Sequence, residues 1–334
     1  MTDFLLPPSI YPATEDVEII DSNSFPFQPQ FGAGPDQVQQ YASPRLRVRQ
    51  RFVALRQEER AIMLALVAKL QGRYHRLRAQ VGYSNRGSWS ASELLTNGTF
   101  ASGTTGWTSS NAELVLSAAD RVLRGTRTGV TGDRTIQATV ATTVSGVTYA
   151  ARLLAEAGRG AMDYQLQLGT SAGGTQLSST GSDFTAGGLR TLVGTATGTS
   201  TYFSILDGTS SRSTGGFQEF TYASLRRVAL VQGASQTGNG LLIDQLPTST
   251  DGLLLRGDLF EINGELKRVT AALNSDGSGI GYLQFDPPLV RSPADNDPVH
   301  MALPLSRFVV SEAKWTNRFG VYADLDLTLD QVYE

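Results

Sequence analysis

Few residues in this chain could do acid–base or nucleophilic chemistry, and their spacing decides what each can do. There are two histidines, His75 and His300, in 334 residues. His75 stands beside Arg73 and Arg76 in an alternating run, and neither histidine has a metal-ligand or triad spacing, so both read as structural. Gly169-Thr-Ser-Ala-Gly173 has the letters of a nucleophile elbow. An elbow needs a helix directly after it, whereas Gly174-Thr-Gln-Leu-Ser-Ser-Thr-Gly181 is turn-rich, which makes the stretch a hairpin loop. No glycine-rich phosphate loop precedes a helix. The absence of cysteine excludes disulfides, thiolate metal sites and cysteine nucleophiles. The expectation is a protein that is not an enzyme, with no cofactor and no metal.

The charged residues are segregated. Nine arginines and Lys69 fall within residues 45–78 against two glutamates, while the C-terminal strand region carries Asp324, Asp326, Asp330 and Glu334. Period-two alternation puts Arg45, Arg47, Arg49 and Arg51 on one face of a strand, and Asp324 and Asp326 on one face of another. The Asp295/Asp297 pair, in a proline-flanked loop, reads as solvated turn acids. A basic face and an acidic face suit a head-to-tail ring, in which two different patches meet. A ladder between strands of one chain and a DNA-facing lumen are the other uses open to them. A DNA conduit lined with arginine would hold its cargo through counterion release. A net charge of −3 is also not that of a dedicated nucleic-acid binder.

These residues must be positioned by strands. Leu46, Val48 and Phe52 alternate with the arginines. Met63, Leu66, Val67 and Leu70 follow at helical spacing, Gln57-Glu58-Glu59 favours the helix start, and Gly72 suits its C-cap, giving a helix over about 57–71. A second alternating strand, Arg73–Ala79, comes next. Residues 22–35 are proline-rich and hold Phe25, Phe27 and Phe31, as an arm that packs on its own domain or reaches a neighbouring subunit. From Ser88 to about Leu230 the chain lacks lysine and fills with Gly, Ser and Thr between short alternating runs. The candidate strands there are Ala112–Leu116, Arg134–Val140, Thr148–Leu154, Asp163–Leu168, Arg190–Ala196, Tyr202–Leu206 and Phe217–Val228, a pattern of jelly-roll type. Leu241–Ile243, Leu253–Ile262, Glu265–Leu273, Gly279–Phe285, Arg307–Ser311 and Gly320–Leu329 complete the chain, with Asn263-Gly264 and Asn274–Gly277 as hairpin turns.

Residues 1–87 are too few to bury their own apolar faces. The expected architecture is therefore mostly β: a discontinuous β-sandwich frame, 1–87 with 233–334, plus an inserted jelly-roll β-sandwich, 88–232. No apolar run approaches the ~20 residues that span a bilayer, and Met1–Pro8 lacks the pattern of a signal peptide. No membrane insertion and synthesis in a cytoplasm are expected.

Two stretches resemble known families. Glu93-Leu-Leu-Thr-Asn-Gly-Thr-Phe-Ala-Ser-Gly-Thr-Thr-Gly-Trp107 is similar to the opening of jelly-roll carbohydrate-binding modules. The resemblance implies that Asn97, Phe100 and Trp107 form the fold. The closing stretch Tyr222–Leu230 lacks that family's aspartate, so the resemblance does not extend to its calcium. It implies sugar stacking on exposed rings such as Tyr149, Tyr164 or Tyr202, with Gln165, Gln167 or Arg190 bonding hydroxyls. Arg45–Arg78, and Gly257–Thr270 followed by Asn274–Leu289, resemble distal tail and minor tail proteins of long non-contractile-tailed bacteriophages. That resemblance implies a hexameric ring at the tail tip of the virion, between tail tube and baseplate hub proteins. It implies an outward module that meets host surface polysaccharide. A decorating tail protein whose insertion is only structural, and a sugar-binding accessory of a glycan hydrolase, are the alternatives.

Overall fold

The structure, a computed structural model, describes residues 3–7, 10–20, 24–27, 37–40, 45–70, 75–83, 85–89, 91–129, 134–155, 164–180, 188–207, 215–318 and 322–333. It is mostly β, with one α-helix among the described residues. The chain divides into two compact units. Residues 1–6, 10–89 and 229–334 form a frame, and residues 7–9 and 90–228 form the other unit.

The frame draws on both ends of the chain. A six-stranded sheet runs in the order Asp3–Leu5, Arg76–Gln80, Leu305–Arg318, Tyr322–Gln331, Arg45–Leu55, Thr14–Ile20. Alternation explains its core face: Leu46, Val48 and Phe52 meet Leu325, Leu327 and Leu329, all buried. Helix Gln57–Leu70 lays Met63, Leu66 and Leu70 into the same core. Its start is fixed by Glu59, which accepts a hydrogen bond from Arg56 N at 3.0 Å, one half of a capping box. Gly72, the expected cap, and Phe31 of the arm lie outside the described residues. The arm's strands Ser24–Phe27 and Gln37–Gln40 pair with each other.

The sheet curls until its two sides meet. Glu15, on one edge strand, accepts from Gln50 Nε2 at 3.0 Å and from Gly82 N at 2.8 Å. Gln50 Nε2 also reaches Gln80 O at 3.0 Å, although three strand pairings separate the two strands within the sheet. Burial pushes the Glu15 carboxyl up, against the hydrogen bonds from Gln50 and Gly82 that pull it down.

The other half of the frame is a closed six-stranded barrel, formed by Ala229–Val231, Gly240–Asp244, Gly281–Asp286, Glu265–Val269, Leu259–Ile262 and Pro298–His300. Hairpin signals do not specify this closure, which depends on Ala229–Val231 pairing with Pro298–His300. Asn263 and Gly264, both at positive φ, make the expected two-residue turn. The expected strand Leu253–Ile262 shortens to Leu259–Ile262, because the Asp258 carboxylate turns the chain back to accept from Leu255 N. Asp258 also accepts from Arg86 N and Gly87 N at 2.9 and 2.8 Å. Asn85 and Leu259 exchange hydrogen bonds of 2.7 and 2.8 Å. A Cβ at Gly87 would run into the Leu253 backbone, so this seam needs a glycine.

The second unit has two sheets. One runs Ser178–Ser179, Gln165–Gly169, Ser200–Asp207, Arg134–Ala138, Trp107–Ser109, with Ala141–Thr142 added on Ser200–Asp207. The other runs Gly188–Thr195, Thr148–Ala155, Phe217–Arg227, Val122–Arg127, Leu114–Ala119. Their facing side chains form one core, from Ile136, Leu166, Leu168, Phe203 and Ile205 on one side to Leu123, Leu153, Phe220 and Leu225 on the other. The strand Val122–Arg127 was not expected. It ends in Arg127, 1% exposed, which grips Asp207 of the opposite sheet through two hydrogen bonds.

Removing one member of a buried ion pair strands the other charge, at a cost of about 3–5 kcal/mol. Arg127→Met or Asp207→Ala is expected to lose that much in denaturant unfolding, and the double variant R127M/D207L much less. Raised by burial, Glu15 holds its proton to higher pH in the folded state than in the unfolded chain. Its contribution to stability is therefore fully present in acid and is lost as pH rises from about 4.5 through the folded value. The stability of the wild type relative to E15Q should fall over that window. A difference that stays flat with pH would contradict the assignment.

Candidate functional site

Each unit carries a polar sheet face that could serve as a site. In the second unit, the outward side of the sheet containing Ser200–Asp207 carries no charged side chain among the described residues. Cross-strand pairing lines up Gln165, Leu206 and Thr135 in one row and Gln167, Ser204 and Gln137 in the next, and puts Tyr202 opposite Gly169. The core-facing neighbours Leu166, Leu168, Phe203, Ile205 and Ile136 alternate with them, as a half-buried strand requires.

Loop 170–176 folds over part of this face. Gly173 N donates to Ser204 Oγ at 3.1 Å, and Gly173 holds φ +68°, which glycine adopts without strain. Gln176 Oε1 accepts from Thr170 N at 3.1 Å. Beneath the loop, Gln167 is 3% exposed and its Oε1 has no hydrogen-bond partner among the described residues. A buried acceptor left unmet costs about 1–3 kcal/mol, so this atom is a standing demand for a donor. Gln165, Gln137 and Tyr202 are half-buried beside it. Together they offer amide donors and acceptors and one ring edge, the set that suits an uncharged polyhydroxylated ligand. The elbow-like letters Gly169–Gly173 are part of this loop, and no helix follows them.

Of the predicted sugar contacts, Gln165 and Tyr202 come together here. Tyr149, Tyr164 and Arg190 do not. Tyr149 points into the core with its hydroxyl accepting from Val144 N at 3.0 Å. Tyr164 is 1% exposed, edge-on to Phe220 at 5.5 Å, and its hydroxyl is pushed up to about 12 by burial. Arg190 lies on the other sheet, opposite core-facing Leu153. A ring with no free face cannot stack on a sugar, so Tyr149 and Tyr164 are corrected to structural residues, and Arg190, on the other sheet, is not part of this face. Asn97, Phe100 and Trp107 build the turn. The Asn97 amide bridges Gly103 O, Thr105 O and Ser102 N, and Trp107 Nε1 donates back to Asn97 O at 3.2 Å. The Trp107 ring packs on Phe100 and Phe203. Gln137 and Ser204 were missed, though each stands between two core residues, Ile136 and Ala138 for the first and Phe203 and Ile205 for the second.

The frame's sheet carries the charged face. Arg47 makes a bidentate pair with Asp330 at 2.7 and 3.3 Å and reaches Glu18, a set that raises its pKa, chiefly through the hydrogen bond to Asp330. Arg51 lies 3.5 Å from both Asp324 and Asp326. Arg49 meets Glu18 at 3.0 Å while its side chain stays 55% exposed. Arg45 lies over the Tyr333 ring at 5.9 Å. The arginines and aspartates thus form a ladder within the chain. Asp324 is 2% exposed and also accepts from Ala54 N at 3.0 Å, in a bulge between the paired strands. Beside the ladder is a hollow of about 510 Å³, lined by Arg47, Arg49, Glu312, Lys314, Asp326 and Thr328. Glu312 and Lys314 were not among the expected interface residues.

His75 packs edge-on against Phe4 at 5.4 Å, and His300 is buried on a barrel strand. Asp295 and Asp297 accept from loop backbone groups, Gly233 N and Ala294 N. Among the described residues no group of three or more His, Asp or Glu could hold a metal ion, and no helix is long and apolar enough to cross a membrane.

No family model matches the sequence, and no curated protein matches it. Among solved structures, an arabinose-bound MgGH51 α-L-arabinofuranosidase is similar at 18% identity over 44% of this chain and 28% of that one, with a TM-score of 0.32. The adhesin domain of Epf from Streptococcus pyogenes is similar at 10% identity over 59% of this chain and 86% of that one, with a TM-score of 0.34. Likenesses this distant carry no argument about activity.

Filling the loop-covered acceptor from within should be tolerated. Gln167→Leu removes the unmet oxygen and is expected to leave thermal stability unchanged or slightly raised. A drop of more than about 2 kcal/mol would mean that the amide is already bonded.

Proposed function

We propose that this chain is a non-enzymatic assembly protein of a phage tail tip. Its frame packs into a ring between tail tube and baseplate hub, and its second unit meets host surface glycan during adsorption. One observation carries the reading: a sandwich with an uncharged, amide-lined face interrupts a frame whose sheet is completed only by both ends of the chain. Such a frame is a mounting, and the interruption is a tool mounted on it. The resemblance of Arg45–Arg78 and Gly257–Leu289 to tail proteins supports the placement in a virion, and the amide face supports contact with neutral sugar.

Assembly falls to charges the internal ladder leaves exposed. Arg49, Glu312 and Lys314 remain solvent-facing, whereas Arg47 pairs with Asp330 and Arg51 with Asp324 and Asp326 within the chain. Repetition around a ring would raise the effective concentration of weak sugar contacts.

Two measurements test this. Light scattering of the purified chain should report a closed oligomer, and R49E/K314E should shift it toward the single-chain mass without changing the melting temperature. A glycan array probed with the full chain should give neutral-polysaccharide hits that weaken about tenfold, or roughly 1.4 kcal/mol, in Tyr202→Ala. An empty array from folded protein would remove the sugar claim, and a chain that stays single at all concentrations would remove the ring.

A further inference from the structure

The strand Leu305–Arg318 is longer than the sheet around it. On one side, Phe308–Arg318 pairs with Tyr322–Gln331 nearly throughout, interrupted by a bulge. On the other side, Arg76–Gln80 covers only Leu305–Phe308. From Trp315 to Arg318 no strand among the described residues pairs with the outer edge. This edge is amphipathic, with Trp315 packed toward the frame core and Thr316 exposed. An open ladder of this length is a template for another strand.

The same chain carries a hairpin with no sheet to join. Ser24–Phe27 and Gln37–Gln40 pair only with each other among the described residues, and a lone two-stranded hairpin is marginal in water. Pro26 cannot donate to a ladder, so Gln37–Gln40 is the strand able to extend a sheet.

The hairpin cannot seat on its own chain's open edge. It leaves the sheet between Ile20 and Arg45. Trp315, at the near end of this edge, lies opposite Leu325 and so in line with Phe52, seven residues along from Arg45. At about 3.3 Å per residue and ~4.8 Å per strand, the seat beyond that edge is roughly 27 Å from Arg45. The connection from Gln40 to Arg45 spans at most about 18 Å.

We infer that Gln37–Gln40 adds to the Trp315–Arg318 edge of a second copy, continuing the frame sheet from one subunit into the next. The contact is head-to-tail, since arm and edge are different surfaces, and it closes into a ring if the rotation permits. This rests on the assembly reading above, and names the elements that join.

The chain has no cysteine, which makes a directed cross-link clean. Full-length T316C and Q39C, mixed and treated with a short bismaleimide, should give a linked dimer that neither variant gives alone. Replacing residues 21–44 with a short Gly-Ser linker should bring the light-scattering mass down to one chain, with the circular dichroism of the rest retained. An assembled mixture with no linked dimer, or an armless chain that assembles as the wild type does, overturns this inference and leaves the ring standing. A wild-type chain that never assembles overturns both.

Discussion

The frame depends on the pairing of Arg45–Leu55 with Tyr322–Gln331. Leu46, Val48 and Phe52 on one strand, and Leu325, Leu327 and Leu329 on the other, turn to the same core and are excluded from water. A slip of one residue would turn either set outward and would separate Arg51 from Asp326 and Arg47 from Asp330, which face each other in the native register. The apolar face supplies the energy and the ion pairs discriminate between registers. Closing so long a loop costs little more than closing a short one, because the entropy grows only logarithmically, by about 0.6 kcal/mol per doubling. That is why a whole sandwich can occupy the interval between strands that must meet.

The two polar faces answer to different physics. The frame's ladder is built from partly exposed ion pairs, each worth about 0–1 kcal/mol and screened by salt. Such a face stabilises its own fold weakly, yet it sets which surfaces can approach it. The amide face of the second unit has no charge to screen. Its selectivity comes from matching donors to acceptors in a half-buried setting, where an unmatched group is costly. For the function proposed above, the ladder predicts a salt-sensitive contact and the amide face a salt-indifferent one.

Much of this could be read from residue types. The alternation at Arg45–Leu55, the helix from Gln57 and the Asn263-Gly264 turn are local, and local periodicity reports them. The mostly-β class follows from many such runs. Burial direction was harder to read. Tyr149, Tyr164 and Tyr202 have the same chemistry, and only Tyr202 stands on an outward position, which depends on strand register. Val122–Arg127 escaped notice because Gly125 interrupts it and two arginines make it look solvated. Gly125 is small because a Cβ there would press on Ile136, and Arg127 is neutralised by a residue 80 positions away. The barrel escaped for the same reason, since closure is a long-range pairing that no window of sequence contains.

A sheet completed by its last strands has a consequence for synthesis. Leu55 leaves the ribosome some 250 residues before Leu305 begins the strands that cover its core. At roughly 5–20 residues per second, the nascent apolar stripe Leu46–Phe52 waits on the order of tens of seconds for its cover. The sandwich between them can fold in the meantime. The early segment must therefore be shielded by a chaperone, or by its own arginine-rich solubility, until translation is nearly done.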